Sequence, residues 1–315
     1  MKIKIENENT EKRIDLFISE VLNISRQQSS FLIEKGDVIV NSKIQKSSYK
    51  LKSDDLVEII NTKKQEEELE EWNYPLDIRY EDDYLLVVNK PKNMLTHPTK
   101  YDRKNTLANA LLYHCKNNLS DISGKDRRGI VHRLDKNTAG LMVIAKTNEA
   151  HEKLSLMIKE KTLIRKYKAI CLGEFDENEG MIDKPLLHYL KNDVKMTIAK
   201  ENEGLKAQTK YKVLEHFKGA CLVELELLTG RTHQIRVHLS SINHPLFGDV
   251  LYGARGKTKK EFFNLKTTEQ LLQSYFISFS HPITKEKITY ELEEKDFSED
   301  FIKVLNFLRR NYGYN

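Results

Sequence analysis

The chain has 315 residues, 39% of them hydrophobic and 31% charged, with a net charge of +5, the balance of a soluble protein with a very polar surface and length enough for two domains. These figures exclude a membrane-spanning run, and the opening Met1-Lys2-Ile3-Lys4-Ile5-Glu6 lacks the apolar core of a signal peptide, so a cytoplasmic chain is expected. The charge surplus permits a polyanionic partner without requiring one, and the widely spaced Cys115, Cys171 and Cys221 suit buried thiols rather than a disulfide framework or a zinc site.

Between Lys12 and Leu22, Ile14, Phe17, Ile18, Val21 and Leu22 fall on one helical face. A second helix follows, with Ser25 and Gln28 as a capping box, Phe31, Leu32 and Ile33 as apolar surface, and Gly36 placed to end it. Val38-Ile39-Val40 and Leu56 to Ile60 then read as short strands separated by turn signals at Asn41-Ser42 and Asp54-Asp55. Residues 63–74 open with the acidic, apolar-poor stretch Lys63 to Asn73 and read as a linker, which divides the chain into a domain at 1–62 and a larger one at 75–315. In the larger domain Leu85 to Val88 reads as a buried strand, Thr106 to Tyr113 as a helix, and Leu141 to Ala145 as a buried strand. Thr147 to Lys159 is a helix with Ala150, Leu154, Met157 and Ile158 on one face. Cys221, Val223, Leu225 and Leu227 alternate with Leu222, Glu224 and Glu226 as in an antiparallel strand with one wetter face. Ile235, Leu239 and Ile242 give a helix ending at Asn243-His244-Pro245, and Phe301 to Leu308 give a last amphipathic helix. The class is α+β, and no internal repeat is evident.

One carboxylate stands out. Asp135 lies in Gly129-Ile130-Val131-His132-Arg133-Leu134-Asp135-Lys136-Asn137-Thr138-Ala139-Gly140, between a basic approach and a rigid apolar strand. By itself Asp135-Lys136-Asn137 reads sooner as a polar turn before a strand, since turns commonly use Asp and Asn. Lys100, Arg103, Lys104, Lys125, Arg127, Arg128, Arg133 and Lys136, with Tyr101 among them, crowd the approach as a plausible phosphate track.

His-Arg-Leu-Asp followed by Thr-x-Gly resembles the catalytic motif of the RluA-type pseudouridine synthases. Three further blocks fit in order: Val87-Val88-Asn89-Lys90-Pro91, Lys166-Tyr167-Lys168-Ala169, and Leu228 to His238 followed by Asn243-His244-Pro245-Leu246 and Gly248-Asp249. The resemblance runs from about Pro75 to at least Gly253 and is closest to the large-subunit ribosomal RNA pseudouridine synthase D subgroup. Ala139 departs from the Ser or Thr common there but leaves the carboxylate intact. The resemblance implies a mixed, mainly antiparallel sheet flanked by helices. The order of elements in 1–62, with Arg26 at the helix start, resembles the alpha-L RNA-binding domain of the ribosomal protein S-four type. There Arg26, Lys35, Lys43 and Lys46 would touch RNA, a small packing or dimerisation domain being the alternative.

The implied reaction breaks the bond from the ribose to the uracil nitrogen, turns the base and joins its 5-carbon to the same sugar carbon. It needs no redox partner, and no phosphate-cradling, dinucleotide or zinc-protease motif is present, so neither cofactor nor metal is expected. A carboxylate suits an electron-poor anomeric carbon. Whether Asp135 attacks the sugar, attacks the base or removes a sugar proton stays open. The resemblance places Arg236 beside Asp135 to keep it charged, and Tyr167 against the base; otherwise these are an exposed helix cation and a half-buried core tyrosine. Arg133 would fill the gap left by an extruded uridine, or else contact phosphate or pair with an acid. Lys136, Arg128 and Arg26 complete the expected RNA contacts together with His132, which is expected to shape the loop rather than to transfer a proton. His233, His238 and His244 lack the carboxylate or Cys spacing of a metal set. The expected partner is RNA, large-subunit ribosomal before transfer RNA, bound by a monomer. A non-catalytic RNA-binding factor and an RNA glycosidase are the competing functions.

Overall fold

The computed structural model describes residues 1–24, 26–60, 68–99, 102–116, 118–189, 195–200, 203–253 and 269–314. The chain divides into two compact units, Met1–Glu68 and Leu69–Asn315. The division falls inside the acidic stretch. Its last residues belong to the second unit, where Trp72 N–H donates to Asn109 O at 3.1 Å, the Asn109 amide donates to Glu70 O at 2.7 Å, and Trp72 and Tyr74 pack on a core cluster.

The first unit holds strand β1 (Lys2–Lys4), helices α1 (Ile14–Val21) and α2 (Arg26–Lys35), and strands β2 (Val38–Val40) and β3 (Leu56–Ile59). The strands form an antiparallel sheet in the order β1-β3-β2, and Ile14, Phe17, Ile18, Ile33, Val38, Val40, Leu51 and Val57 make the core between sheet and helices. Gly36 closes α2 at φ +83°, as its place in the sequence requires. Ser25, the expected cap, lies outside the described residues. Phe31, expected to supply apolar surface with Leu32 and Ile33, points outward, 60% exposed, while Ile33 is fully buried and Leu32 packs on the core from its edge.

The second unit contains strands β4 (Asp77–Glu81), β5 (Leu85–Lys90), β6 (Ala139–Ala145), β7 (Ile164–Leu172), β8 (Glu179–Asp183), β9 (Leu186–His188), β10 (Met196–Ile198), β11 (Gln208–Phe217), β12 (Ala220–Leu227), β13 (Leu272–Ser280) and β14 (Lys287–Glu291). Its helices are α3 (Leu107–Cys115), α4 (Asn148–Lys159), α5 (Gln234–Ser241) and α6 (Glu299–Asn311). A sheet of nine strands runs β4-β5-β6-β13-β7-β12-β11-β8, with β14 paired to β13; β9 and β10 form a separate hairpin. Every pairing in the large sheet is antiparallel except β6 with β13.

The sheet has a core on each face. Val87, Leu141, Ile170 and Leu222 meet α4 and α6 residues such as Leu154, Phe301 and Leu305 on one side. Val88, Met142, Tyr167, Cys171 and Leu225 meet Leu107, Leu111, Ile235 and Leu239 on the other. Burial on both faces explains why β6 is uniformly apolar, whereas β12 loses burial only toward its end. The three cysteines are buried free thiols. Among the described residues no helix is long and apolar enough to cross a membrane.

Candidate active site

Asp135 opens a turn, closed by Thr138 N–H donating to Asp135 O at 3.1 Å, that feeds directly into β6. The backbone around it is pinned. Thr96 Oγ1 donates to Leu134 O at 2.8 Å and accepts from Leu134 N–H at 3.3 Å, and Lys90 Nζ donates to Pro91 O, Met94 O and Lys136 O at 2.9, 2.8 and 3.3 Å. Burial draws the Lys90 amine down to about 7, with the charge of Asp135 opposing. Three carbonyls nevertheless accept all three protons of the ammonium form, so we assign that form. The glycine of Thr-x-Gly is needed because Gly140 has φ +126° and a Cβ there would fall 2.0 Å from Ser274 O on β13.

Arg236 reaches Asp135 from α5. Its Nη1 donates to Asp135 Oδ2 at 3.1 Å, while Nε and Nη2 make a fork onto Asp249 Oδ2 and Oδ1 at 2.7 and 2.9 Å. Burial opposes the Arg236 charge, and Asp249 first, then Asp135, more than restore it, raising its pKa. The Asp249 carboxylate is itself fully enclosed and also accepts from Leu251 and Tyr252 N–H at 3.1 and 3.2 Å. The guanidinium lies 5.0 Å from the Tyr252 ring centre. Such a two-point clamp fixes the orientation of the third nitrogen, which a lysine could not reproduce.

His233, in the left-handed region at φ +55° before α5, stands 3.7 Å from Asp135 Oδ2 through Nε2 and 2.8 Å from the Tyr252 hydroxyl through Nδ1. That hydroxyl accepts from Met196 N–H at 2.8 Å, and in the tautomer where its own proton goes to Nδ1 the ring carries Nε2–H toward Asp135. Burial holds His233 below the usual imidazole range despite the two carboxylates, making it neutral near pH 7. His238 bonds Thr209 Oγ1 and Lys184 O, and His244 stacks on Phe175, so the three histidines serve separate places.

Tyr167, 3% exposed, shares the inner face of β7 with Ala169 and Cys171, as the alternation requires. Register sets Tyr167, Ser274 and Gly140 in one row across β7, β13 and β6, which brings the tyrosine toward the strand that Asp135 precedes. Burial lifts its phenol above the ordinary value, with Arg165 and Ser274 opposing and Asp135 adding to the rise.

Of the expected RNA contacts, Arg133 and Lys136 are exposed beside Asp135, and Arg128 is half-buried. His132 is turned inward. Its Nε2 accepts from Val143 N–H at 3.1 Å and burial pushes it down to about 3, so a neutral ring ties the loop to β6 rather than offering charge to RNA. In the first unit Arg26 Nε donates to the buried Asp15 Oδ2 at 2.9 Å, leaving Arg26 about half exposed. Part of the basic approach is neutralised, Arg103 by Asp126 at 2.8 Å and Lys104 by Glu70 at 2.9 Å; Lys100 and Tyr101 lie outside the described residues. Sequence reasoning gave no role to Lys90, Asp249, His233 or Tyr252. The signal for Asp249 was present, an acid in a quoted block that also holds an arginine, once Arg236 is taken as buried.

The family model for RNA pseudouridylate synthase matches residues 84–241. A protein of Zymomonas mobilis called ribosomal large subunit pseudouridine synthase D is 38% identical over 304 residues, covering 95% of each chain. An uncharacterized RNA pseudouridine synthase of Bacillus subtilis is 40% identical over 312 residues, covering 98% of each. Among solved structures, human RNA pseudouridylate synthase domain containing 4 superposes with a TM-score of 0.58 at 24% identity, over 74% of this chain and 92% of that one, which speaks to fold alone. Similarity of this extent, matching the blocks that build the site, means that the chain belongs to the RNA pseudouridine synthase family and is an isomerase that makes pseudouridine in RNA.

Proposed function

We propose that the chain modifies uridine in structured large-subunit ribosomal RNA, with the Asp135 carboxylate meeting the ribose carbon of a uridine swung out of its helix. The observation that carries this reading is the Arg236 bridge, which donates to Asp135 at 3.1 Å while clamped by the enclosed Asp249. A carboxylate so held keeps its orientation and its cationic neighbour when RNA displaces water, the condition for acting on a developing electron-poor centre. Tyr167 supplies a ring face for the freed uracil; its raised phenol stays neutral and is a poor proton acceptor. The isomerisation balances internally: the bond from C1′ to N1 breaks, a bond from C1′ to C5 forms, the C5 proton leaves and N1 gains one.

Arg133, exposed two residues before Asp135, is placed to enter the space left by the base, with Lys136 and Arg128 on nearby phosphates. The order of two helices and a small sheet in the first unit suits an alpha-L RNA-binding domain, with Arg26 and the exposed Lys35, Lys43 and Lys46 as contacts. A ribosomal target is supported by the name of the Zymomonas mobilis relative at 38% identity. The test is tritium release from 5-tritiated uridine in ribosomal RNA of a deletion strain. Wild type should release it and Asp135→Asn should not; release by Asp135→Asn would remove the carboxylate from the chemistry. Mapping pseudouridines in that strain reads the target, and losses confined to transfer RNA would overturn the ribosomal assignment.

A further inference from the structure

Arg165 is a buried cation for which the described residues supply no partner. It lies on β7 two positions before Tyr167, on the same face of the strand, and is 4% exposed. Its Nε is enclosed without an acceptor, and no described residue forms a hydrogen bond or ion pair with any of its nitrogens. Tyr167 and His132 both feel its charge, which places it beside the loop that carries Asp135. Gly230 covers its flank with hydrogen only, since a Cβ there would lie 3.3 Å from Nη1 and 3.9 Å from Nη2. An unpaired guanidinium is among the costliest groups to enclose, and a buried polar group without a partner calls for one. The contrast with Arg236, every nitrogen of which finds a carboxylate, shows that this fold can pair an arginine when the chain supplies the acid.

We propose that Arg165 donates to a carbonyl oxygen of the extruded uracil and stabilises the negative charge that gathers on the base as it leaves the sugar. This rests on reading the Asp135 and Tyr167 region as the uridine site. When the bond from C1′ to N1 breaks, its electron pair passes to the base and spreads over N1, O2 and O4. When C5 joins C1′ the pair is returned to the new bond, and the C5 proton leaves as N1 takes one up. Arg165 keeps its own proton throughout, acting only as a fixed positive charge and donor. A base carbonyl fits better than a phosphate for two reasons: the neighbouring residue on the same face is the ring on which the base would lie, and the guanidinium is enclosed rather than raised on a solvated rim.

The experiment compares wild type, Arg165→Met and Arg165→Lys in single-turnover reactions on RNA carrying uridine, 2-thiouridine or 4-thiouridine at the target, sulfur being the weaker acceptor. Loss of one such donor should lower the rate by about 100-fold in Arg165→Met, with RNA affinity changed by less than about threefold and Arg165→Lys in between. The thio substitution at the contacted oxygen should slow wild type and have no added effect in Arg165→Met. The thermal midpoint of Arg165→Met should be unchanged or higher, since an unpaired charge has been replaced by an apolar chain of similar reach. A wild-type rate in Arg165→Met, equal thio effects in both proteins, or a loss confined to RNA affinity, the mark of a phosphate contact, would each overturn the proposal. If Arg165→Met fails to fold, Arg165→Lys carries the same thio comparison. Tritium release by the Asp135→Asn control would instead defeat the uridine-site reading itself.

Discussion

The two sides of the Asp135 site differ in how their charges are settled. On the α5 side Arg236 is bonded through all three nitrogens and Asp249 through both oxygens, and beneath the Asp135 turn Lys90 gives all three of its protons to backbone carbonyls. On the β7 side Tyr167 and Arg165 are as deeply buried, yet Arg165 has no acceptor among the described residues. A saturated network holds a carboxylate in place; an unsaturated cation invites a group from the substrate. Substitutions on the first side should therefore cost stability together with activity, and those on the second should cost activity alone.

The largest effect belongs to Arg236→Ala, which leaves the enclosed Asp249 carboxylate without its partner. Denaturant unfolding should show a loss of about 3 to 5 kcal/mol, accompanied by loss of tritium release. A stability change under about 1 kcal/mol would mean that the α5 side is not the saturated network described. Next is Gly140→Ala. The added methyl would meet Ser274 O at 2.0 Å in a backbone conformation that L residues avoid, so a loss of about 3 kcal/mol is expected by the same unfolding measurement. Lys90→Met should cost less, about 1 to 3 kcal/mol, because it strands three carbonyls while preserving the apolar stem, and its turnover should fall as the Asp135 turn loosens. Normal turnover in that variant would detach the lysine from positioning.

The smallest effect is one of pH. Burial raises the Tyr167 phenol above 10, so at pH 8 its ionised fraction lies below the roughly 1% of a free tyrosine and falls tenfold per unit of acidification. Single-turnover rates should accordingly show no tyrosine titration between about pH 7 and 9, and Tyr167→Phe should retain the same flat profile at a lower rate. A rising limb near pH 8 that disappears in Tyr167→Phe would show a phenolate at work and would shift proton transfer onto the β7 side.

Much of this arrangement is legible in the sequence wherever a short-range pattern coincides with a structural demand. The apolar run into β6 and the faces of α1, α4 and α6 follow from periodicity, because each element buries faces that the pattern specifies, whereas β12 lacks the wetter face expected of it since Leu222 on that side is buried in the opposite core. Less was visible around α5. Ile235 and Leu239 mark its inner face, but an arginine read in isolation belongs outside, and Arg236 is buried only because Asp249 reaches it from the turn beyond the helix. No periodicity links those two positions. Strand β13 escaped notice for a related reason: it carries the buried Gln273 and Ser274 at its start, and its place between β6 and β7 is a matter of long-range pairing. His132 follows its expected loop-shaping part, turning inward so that its Nε2 accepts from the Val143 amide.

By itself, then, the order of residues indicated the α+β class and a split near the acidic stretch through local pattern, and set Asp135 apart through its motif, while the company of Tyr167 and Arg236 was implied by the family resemblance. Tertiary structure alone decided which charges meet. It set Asp249 behind Arg236, drew Lys90 under the Asp135 turn and left Arg165 without a partner among the described residues, because hydrogen bonds between residues far apart in sequence depend on how strands are ordered, and that order is fixed by packing the whole sheet rather than by any segment of it.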